Sequence, residues 1–228
     1  MNYRCFGGRP GRSSFVKMGK NNLNWTNVAT NLLDQRRHQR IRFSTPPAIR
    51  IGYAGEIGEG QIENLSLSGL MFRSNLSLDI GHTVGCEFSV FGSSVIDVPA
   101  SVVSRVGDLF GARFQTGPIN QIIIDDAITG ALARGQASIL TVHDLAGRKV
   151  MRISGGLNGT LRGDFMHALT RVGIEEIDLS AVTTVDQAGL ALCLVATKHH
   201  SVNLGSQSAC FAEAWQKAQV TINEPGCN

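Results

Sequence analysis

Short runs of alternating apolar and polar residues fill the middle of the chain. Ile49, Ile51 and Tyr53 alternate with other residues, and residues 55–60 supply a glycine-containing turn before the next apolar position. Further strands are predicted at residues 70–73, 84–91, 95–106 and 109–115. Closely spaced strands of this kind predict a small antiparallel barrel.

Two local signals qualify this pattern. Pro99 lies inside the long run 95–106 and predicts an edge or a bulge there, because proline cannot donate a hydrogen bond to a neighbouring strand. Residues 119–134 have apolar positions at helical spacing and predict a helix that packs on the barrel or leads away from it.

The periodicity changes after Gly135. Strands are predicted at residues 138–143, 149–154 and 174–179, and helices at residues 161–171, 186–199 and 212–218. Strands that alternate with helices are typical of α/β structure. The pattern therefore predicts two domains, with a β-barrel over residues 34–134 and an α/β domain over residues 135–228.

The charge is distributed unevenly along the 228 residues. Residues 1–50 carry ten Lys or Arg and one acid, a net charge of +9, whereas the whole chain carries +3 and the remainder therefore −6. This asymmetry indicates an anionic partner for the N-terminal part, and a nucleotide, nucleic acid and a membrane surface are all compatible with it.

The first 33 residues are rich in Gly, Asn, Ser and Arg without a repeating apolar pattern, which predicts a flexible tail. Met18 is an alternative start, and a loose apolar stripe over residues 23–33 is compatible with a short helix. Residues 2–31 contain no apolar core of a signal peptide. The longest apolar run, residues 190–196, is far shorter than the roughly 20 residues of a membrane-spanning helix.

The number and spacing of the cysteines indicate the redox state of the compartment in which the protein works. Five cysteines occur without a C-x-x-C pair, and their number is odd. We therefore expect reduced thiols in a cytoplasmic protein.

Two polar motifs carry the candidate chemistry. Arg36 and Arg40 stand four residues apart in a basic segment, and Asn64, Ser66 and Gly69 follow about two dozen residues later. A guanidinium offers a planar fork of donors to a phosphate or to the O6/N7 edge of guanine. An amide and a hydroxyl can bond a base or a ribose, and glycine permits positive φ or close approach of a ligand to the backbone.

Together these motifs resemble the R-x-x-x-R and [D/N]-x-S-x-x-G pair of the PilZ family. The resemblance covers residues 34–134 and implies a six-stranded antiparallel β-barrel that binds the bacterial second messenger cyclic di-GMP. It implies ligand contacts at Arg36, Arg40, Asn64, Ser66 and Gly69. Arg37 is added because the family often carries a further arginine beside the motif, although Gln35 here holds the position just before Arg36.

Residues 177–190 resemble the core signature of STAS domains, in which a strand ends in D-L-S and a D-S-[ST]-G turn opens a helix. The resemblance implies an α/β domain that docks a protein partner. The turn here reads Asp186-Gln187-Ala188-Gly189 and lacks the serine that STAS switches phosphorylate. We therefore expect docking without a phosphorylation switch, and we expect Asp186 to cap the helix that follows.

No catalytic or metal motif emerges. His143-Asp144 has no accompanying nucleophile motif, and His199-His200 has no Cys or carboxylate at ligand spacing. The combined prediction is a non-enzymatic bacterial adaptor for cyclic di-GMP that requires no cofactor or metal. The alternatives are a nucleic-acid-binding protein that uses the basic N-terminal segment, which lacks interleaved aromatics, and a degenerate PilZ scaffold that binds no ligand.

Overall fold

A computed structural model of the chain describes residues 38–223, with side chains through residue 219. The predicted tail, the optional helix at residues 23–33, Arg36 and Arg37 lie outside the described residues. Strands and helices in the described part match most of the predicted elements.

Seven strands form the N-terminal half. They are β1 (Ile41–Phe43), β2 (Ala48–Tyr53), β3 (Glu56–Ser66), β4 (Gly69–Ser74), β5 (Thr83–Phe88), β6 (Ile96–Val106) and β7 (Leu109–Phe114). Hydrogen bonds join β3, β2, β5, β6, β7 and β4 in that order, and β4 returns to β3. The predicted antiparallel six-stranded barrel is thus confirmed.

Alternation of apolar side chains builds the barrel core. In β5, Val84, Cys86 and Phe88 point inward and are buried, whereas the residues between them are exposed. Phe72 and Phe110 stack inside the barrel with ring centroids 5.5 Å apart. The period of two along each strand therefore places one apolar face inside, and its burial stabilises the closed sheet.

The predicted edge at Pro99 exists on one side of β6: pairing with β7 begins only at Ala100, so residues 96–99 pair with β5 alone. β6 is an interior strand of the closed barrel, and Pro99 lies in register opposite Gly85 of β5. The irregularity in β6 lies between Val102 and Ser104, in its pairing with β7. Pro99 is tolerated because its N and carbonyl oxygen face the end of β7, where the oxygen accepts from the Gln115 amide at 2.8 Å, so the missing N–H interrupts no pair of the β6–β7 ladder.

The C-terminal half is α/β, as predicted. It contains β8 (Ala137–Leu145), β9 (Arg148–Leu157), β10 (Glu176–Val185) and β11 (Asn203–Gln207). β9 runs antiparallel to β8 and parallel to β10, and β11 is parallel to β10. β11 was not predicted, because its sequence is short and carries only one large apolar residue, Leu204.

Helices connect and cover these strands. α1 (Pro118–Ala133) leads from the barrel, α2 (Arg162–His167) lies between a 3₁₀ turn and a π-helical turn, and α3 (Gln187–His199) and α4 (Ala209–Asn223) follow. Buried residues of β9, β10, α2, α3 and α4 form a second hydrophobic core, separate from the barrel core. None of the helices within residues 38–223 is long and apolar enough to cross a membrane.

The short strand β1 joins the two halves, a feature that the sequence did not predict. On one edge, Ile41 pairs with Leu65 of β3, and on the other edge Phe43 pairs with Ala137 of β8. The two sheets thus form one continuous hydrogen-bonded sheet. The division at residues 134 and 135 remains a prediction, and backbone pairing crosses it.

Candidate functional site

An open groove lies on the outer surface of the barrel beside the segment that enters β1. Its volume is about 540 Å³, within the roughly 300–1,000 Å³ of ligand pockets. Its lining consists of His38, Arg40, Ser66, Ser68, Gly69, Val103, Ala112 and Arg113. The groove therefore brings together residues from the segment before β1, from the β3–β4 turn, and from β6 and β7.

An irregularity in β3 turns the polar motif toward this outer surface. The register between β3 and β4 shifts between Ile62 and Asn64, and both Ile62 and Leu65 are fully buried in the barrel core. Regular alternation from Ile62 would point Asn64 inward and Leu65 outward. The extra residue reverses this alternation, because a bulge moves the residues after it to the opposite face.

Ser66 stabilises the turn at the base of the groove. Its hydroxyl donates to the Gly69 carbonyl oxygen at 3.0 Å and lies 3.3 Å from the Ser68 hydroxyl. The side chain is buried, so its hydrogen-bonding capacity is directed mainly at this turn. Ser66 therefore fixes the shape of the groove and still contributes to its lining.

Arg40 and Asn64 meet at the sulfur of Met71. Arg40 Nη1 donates to Met71 Sδ at 3.1 Å, and Asn64 Nδ2 donates to the same sulfur at 3.2 Å. Asn64 Oδ1 is buried without a hydrogen-bond partner among the described residues. Buried polar atoms are nearly always hydrogen-bonded, so this acceptor is a site of unused hydrogen-bonding capacity next to Arg40.

Gly69 is required by the barrel itself. Its φ is not positive, so of the two expected uses of glycine here, positive φ or close approach, the first does not apply. A Cβ at this position would overlap the carbonyl oxygen of Ala112 in β7. Close approach therefore takes place between two protein strands, and this is a structural reason for glycine that is independent of any ligand.

The structure brings together only part of the predicted set. Arg40, Ser66 and Gly69 line one groove, and Asn64 lies next to it through Met71. His38 and Arg113 also line the groove and were missed. The sequence could have predicted His38 as a site residue, since it stands inside the arginine segment. The sequence could not have predicted Arg113, because only the pairing of β4 with β7 brings it opposite Gly69.

The α/β half carries the second predicted site, at the start of α3. Asp186 caps this helix as expected, since its Oδ1 accepts from the Gly189 amide at 2.7 Å. The Thr183 hydroxyl donates to the Leu132 carbonyl oxygen at 2.7 Å, and the Thr184 hydroxyl donates to that of Gly135 at 3.5 Å. These bonds tie the segment before α3 to the end of α1.

Two buried thiols and one buried ion pair of the described residues have structural explanations. Burial raises the pKa of Cys86 and Cys193 to about 12, which keeps both thiols protonated and unreactive. Residues 38–223 contain no group of three or more His, Cys, Asp or Glu side chains that could hold a metal ion. Asp178 is buried in an ion pair with Arg152 at 2.8 Å, so this carboxylate stabilises the sheet.

Comparison with known families identifies the barrel. Residues 34–129 match the family model of the PilZ domain. This part of the chain is therefore a PilZ domain, and the matched segment is less than half of the sequence. A search of curated proteins found no match to the chain.

Solved structures with similarity to the chain include three PilZ proteins. The PilZ domain with c-di-GMP of YcgR from Escherichia coli has 18% identity and a TM-score of 0.38, and covers 42% of this chain and 91% of that one. The PilZ domain of CeSA from a cellulose-synthesizing bacterium has 14% identity, a TM-score of 0.34 and coverages of 40% and 95%.

The longer YcgR in complex with c-di-GMP from Escherichia coli has 20% identity and a TM-score of 0.38, with coverages of 42% and 46%. This chain thus matches less than half of that longer protein. Because all three TM-scores are below 0.5, the assignment of the PilZ domain rests on the family model.

Proposed function

We propose that this protein is a cyclic di-GMP receptor and adaptor, in which the PilZ domain binds the nucleotide and the α/β half binds a protein partner. The observation that carries the proposal is the groove that Arg40 shares with Ser66 and Gly69 on a PilZ barrel. These residues belong to the two motifs by which the PilZ family resemblance implies cyclic di-GMP binding.

The groove has the chemistry that a dianionic purine dinucleotide requires. Arg40 supplies a guanidinium for a phosphate or a guanine edge. Asn64 lies next to Arg40 at the Met71 sulfur, and its Oδ1, which has no partner in the structure, becomes an acceptor for a guanine amino or imino group when the side chain turns toward the groove. In the same proposal Arg36 and Arg37, from the segment before Arg40, complete the contacts. Charge-assisted hydrogen bonds from these arginines offset the entropy of ordering the segment on the ligand.

The proposed adaptor role depends on the α/β half, which we interpret as STAS-like. Its order of strands and helices, β8-β9-α2-β10-α3-β11-α4, has a helix after each of the last three strands. The Asp186 cap at the start of α3 agrees with the predicted helix-opening turn. Thr183, Asp186, Gln187 and Ala188 are exposed there and form the proposed docking surface.

The strand β1 supports coupling between the two halves. Arg40 immediately precedes β1, whose backbone pairs with both β3 and β8. Ordering of the arginine segment by a ligand therefore acts on a strand that belongs to both sheets. This is a short route from nucleotide binding to the α/β half.

A calorimetric titration of the full-length protein with cyclic di-GMP tests the proposal. We expect saturable binding that falls only modestly between low and physiological salt, because paired hydrogen bonds hold the ligand. Binding of random-sequence DNA with a steep salt dependence, together with no heat from cyclic di-GMP, would favour the nucleic-acid alternative. If neither cyclic di-GMP nor DNA gave a heat of binding, the result would favour the degenerate PilZ scaffold that binds no ligand.

A further inference from the structure

Arg113 stands on the wall of the groove formed by β7. In the sheet it lies opposite Gly69 of β4 on one side and Ser101 of β6 on the other. Its side chain is exposed and lines the same groove as Arg40. The two arginines therefore come from segments more than 70 residues apart in sequence and share one concave surface.

Three other arginines of the barrel have acidic partners. Arg50 pairs with Glu87, Arg73 with Glu63 and Asp108, and Arg105 with Asp79. Among the described residues, the Arg113 side chain forms no hydrogen bond or ion pair, whereas its backbone pairs with β4 and β6. The nearby polar side chains Gln115 and Ser101 bond to each other at 2.6 Å. The positive charge of Arg113 is thus not neutralised by a neighbouring carboxylate.

The composition of the groove favours an anion at this position. Its lining contains two arginines and a histidine and no Asp or Glu. Gly69 forms part of the floor. Val103 is 48% exposed and lies in the same lining, so it offers an apolar surface to the face of a base.

We propose that Arg113 is a ligand-binding residue of this groove, and that it contacts a phosphate of the bound dinucleotide. The inference rests on the proposed function and extends it to a residue outside both motifs. A cyclic dinucleotide carries two phosphates, and a groove with a cation on each of two walls matches two separated negative charges. Arg40 supplies the charge on the wall next to β1, and Arg113 supplies it on the wall formed by β7.

The proposal makes the groove selective for ligands with two phosphate groups. A mononucleotide such as GMP can engage one arginine at a time, whereas a dinucleotide engages both. We therefore expect the loss caused by Arg113→Ala to be larger for cyclic di-GMP than for GMP. Charge-assisted hydrogen bonds are worth about 1.5–3 kcal/mol, which corresponds to roughly a tenfold to hundredfold loss of affinity for cyclic di-GMP.

Calorimetric titration of full-length wild type, Arg113→Ala, Arg113→Lys and Arg50→Ala tests the assignment. Arg50→Ala removes the same charge from the barrel outside the groove lining and should bind as wild type does. Arg113→Lys keeps the charge and should retain most of the affinity. The melting temperature of Arg113→Ala should equal that of wild type, because no partner is lost.

Each outcome separates this inference from the function on which it depends. Wild-type affinity in Arg113→Ala, combined with weakened binding in Arg40→Ala, would overturn the assignment of Arg113 and leave the receptor function standing. If Arg113→Lys bound cyclic di-GMP as weakly as Arg113→Ala does, the proposed contact between Arg113 and a phosphate would be rejected. No binding by the wild-type protein would reject both the receptor function and the role of Arg113.

Discussion

Arg42 of β1 forms an ion pair with Asp164 of α2, with 3.0 Å between Nη2 and Oδ2. The pair joins the strand that follows Arg40 to the first helix of the α/β half. Both side chains are about half exposed, so the pair contributes only about 0.2–1 kcal/mol to stability. Its position, rather than its strength, makes it a candidate element of the coupling between nucleotide and partner binding.

The first prediction concerns this pair. In the wild-type protein, cyclic di-GMP should slow amide hydrogen exchange in residues 162–172, because ordering of the arginine segment holds β1 and Arg42 in place. Arg42→Ala and Asp164→Asn should reduce that effect with nearly unchanged nucleotide affinity. The check is hydrogen exchange with and without ligand. Equal exchange of residues 137–172 in both states of the wild type would contradict the route through β1.

The second prediction is that Arg40→Ala weakens cyclic di-GMP binding by roughly tenfold to hundredfold while the protein stays folded. Loss of a charge-assisted contact should cost about 1.5–3 kcal/mol of binding free energy. Arg36→Ala, in the segment outside the described residues, should behave alike. Calorimetry measures the affinity, and Arg50→Ala serves as the charge-matched control. Undiminished affinity in Arg40→Ala would remove this residue from the site.

The third prediction separates Asn64 from Ser66. Asn64→Ala removes a buried acceptor that has no partner, so binding should weaken while the melting temperature does not fall. Ser66→Ala removes a bond to the Gly69 carbonyl oxygen and should weaken binding with a loss of about 1 kcal/mol of stability. Thermal melts and titrations of both variants provide the check. A less stable Asn64→Ala protein with full affinity would make Asn64 a structural residue.

The fourth prediction concerns Gly69. Gly69→Ala places a methyl group against the Ala112 carbonyl oxygen and should destabilise the protein by about 1–3 kcal/mol. Gly69→Val should be worse. Gly85→Ala is the matched control, because a Cβ at Gly85 in β5 meets no atom within 4 Å. Denaturant unfolding of the three variants gives the free energies. Equal stability of Gly69→Ala and wild type would show that β7 yields easily at this point.

The fifth prediction is that the surface at the start of α3 docks a partner and is not phosphorylated. Gln187 and Ala188 supply no hydroxyl, and the hydroxyls of Thr183 and Thr184 already donate to carbonyl oxygens. Gln187→Arg in the full-length protein should abolish partner capture that wild type and the control Gln121→Arg both retain.

Mass spectrometry of the protein purified from its host supplies the second measurement for this surface. Phosphate on Ser180, Thr183 or Thr184, with a matching change in partner capture, would restore a phosphorylation switch. Unmodified hydroxyls together with selective loss of capture in Gln187→Arg are the expected result.

Alternation in the barrel strands, helical spacing after residue 118 and the change of period after Gly135 were sufficient to predict most elements, because these patterns are local. The motif pair likewise identified the PilZ domain, since family signatures are short and ordered along the chain. The cap at Asp186 also followed from residue type and position alone.

Only the tertiary structure decided how the predicted elements come together to form the groove and the joined sheet. The shift between Ile62 and Asn64 sets which face the motif occupies, and it depends on how β3 fits β4. The pairing of Gly69 with Arg113 brings a distant arginine into the groove, and β1 joins the two sheets. No local pattern encodes these relationships, because each is fixed by hydrogen bonds and packing between different strands, and the last two join strands that are far apart in sequence.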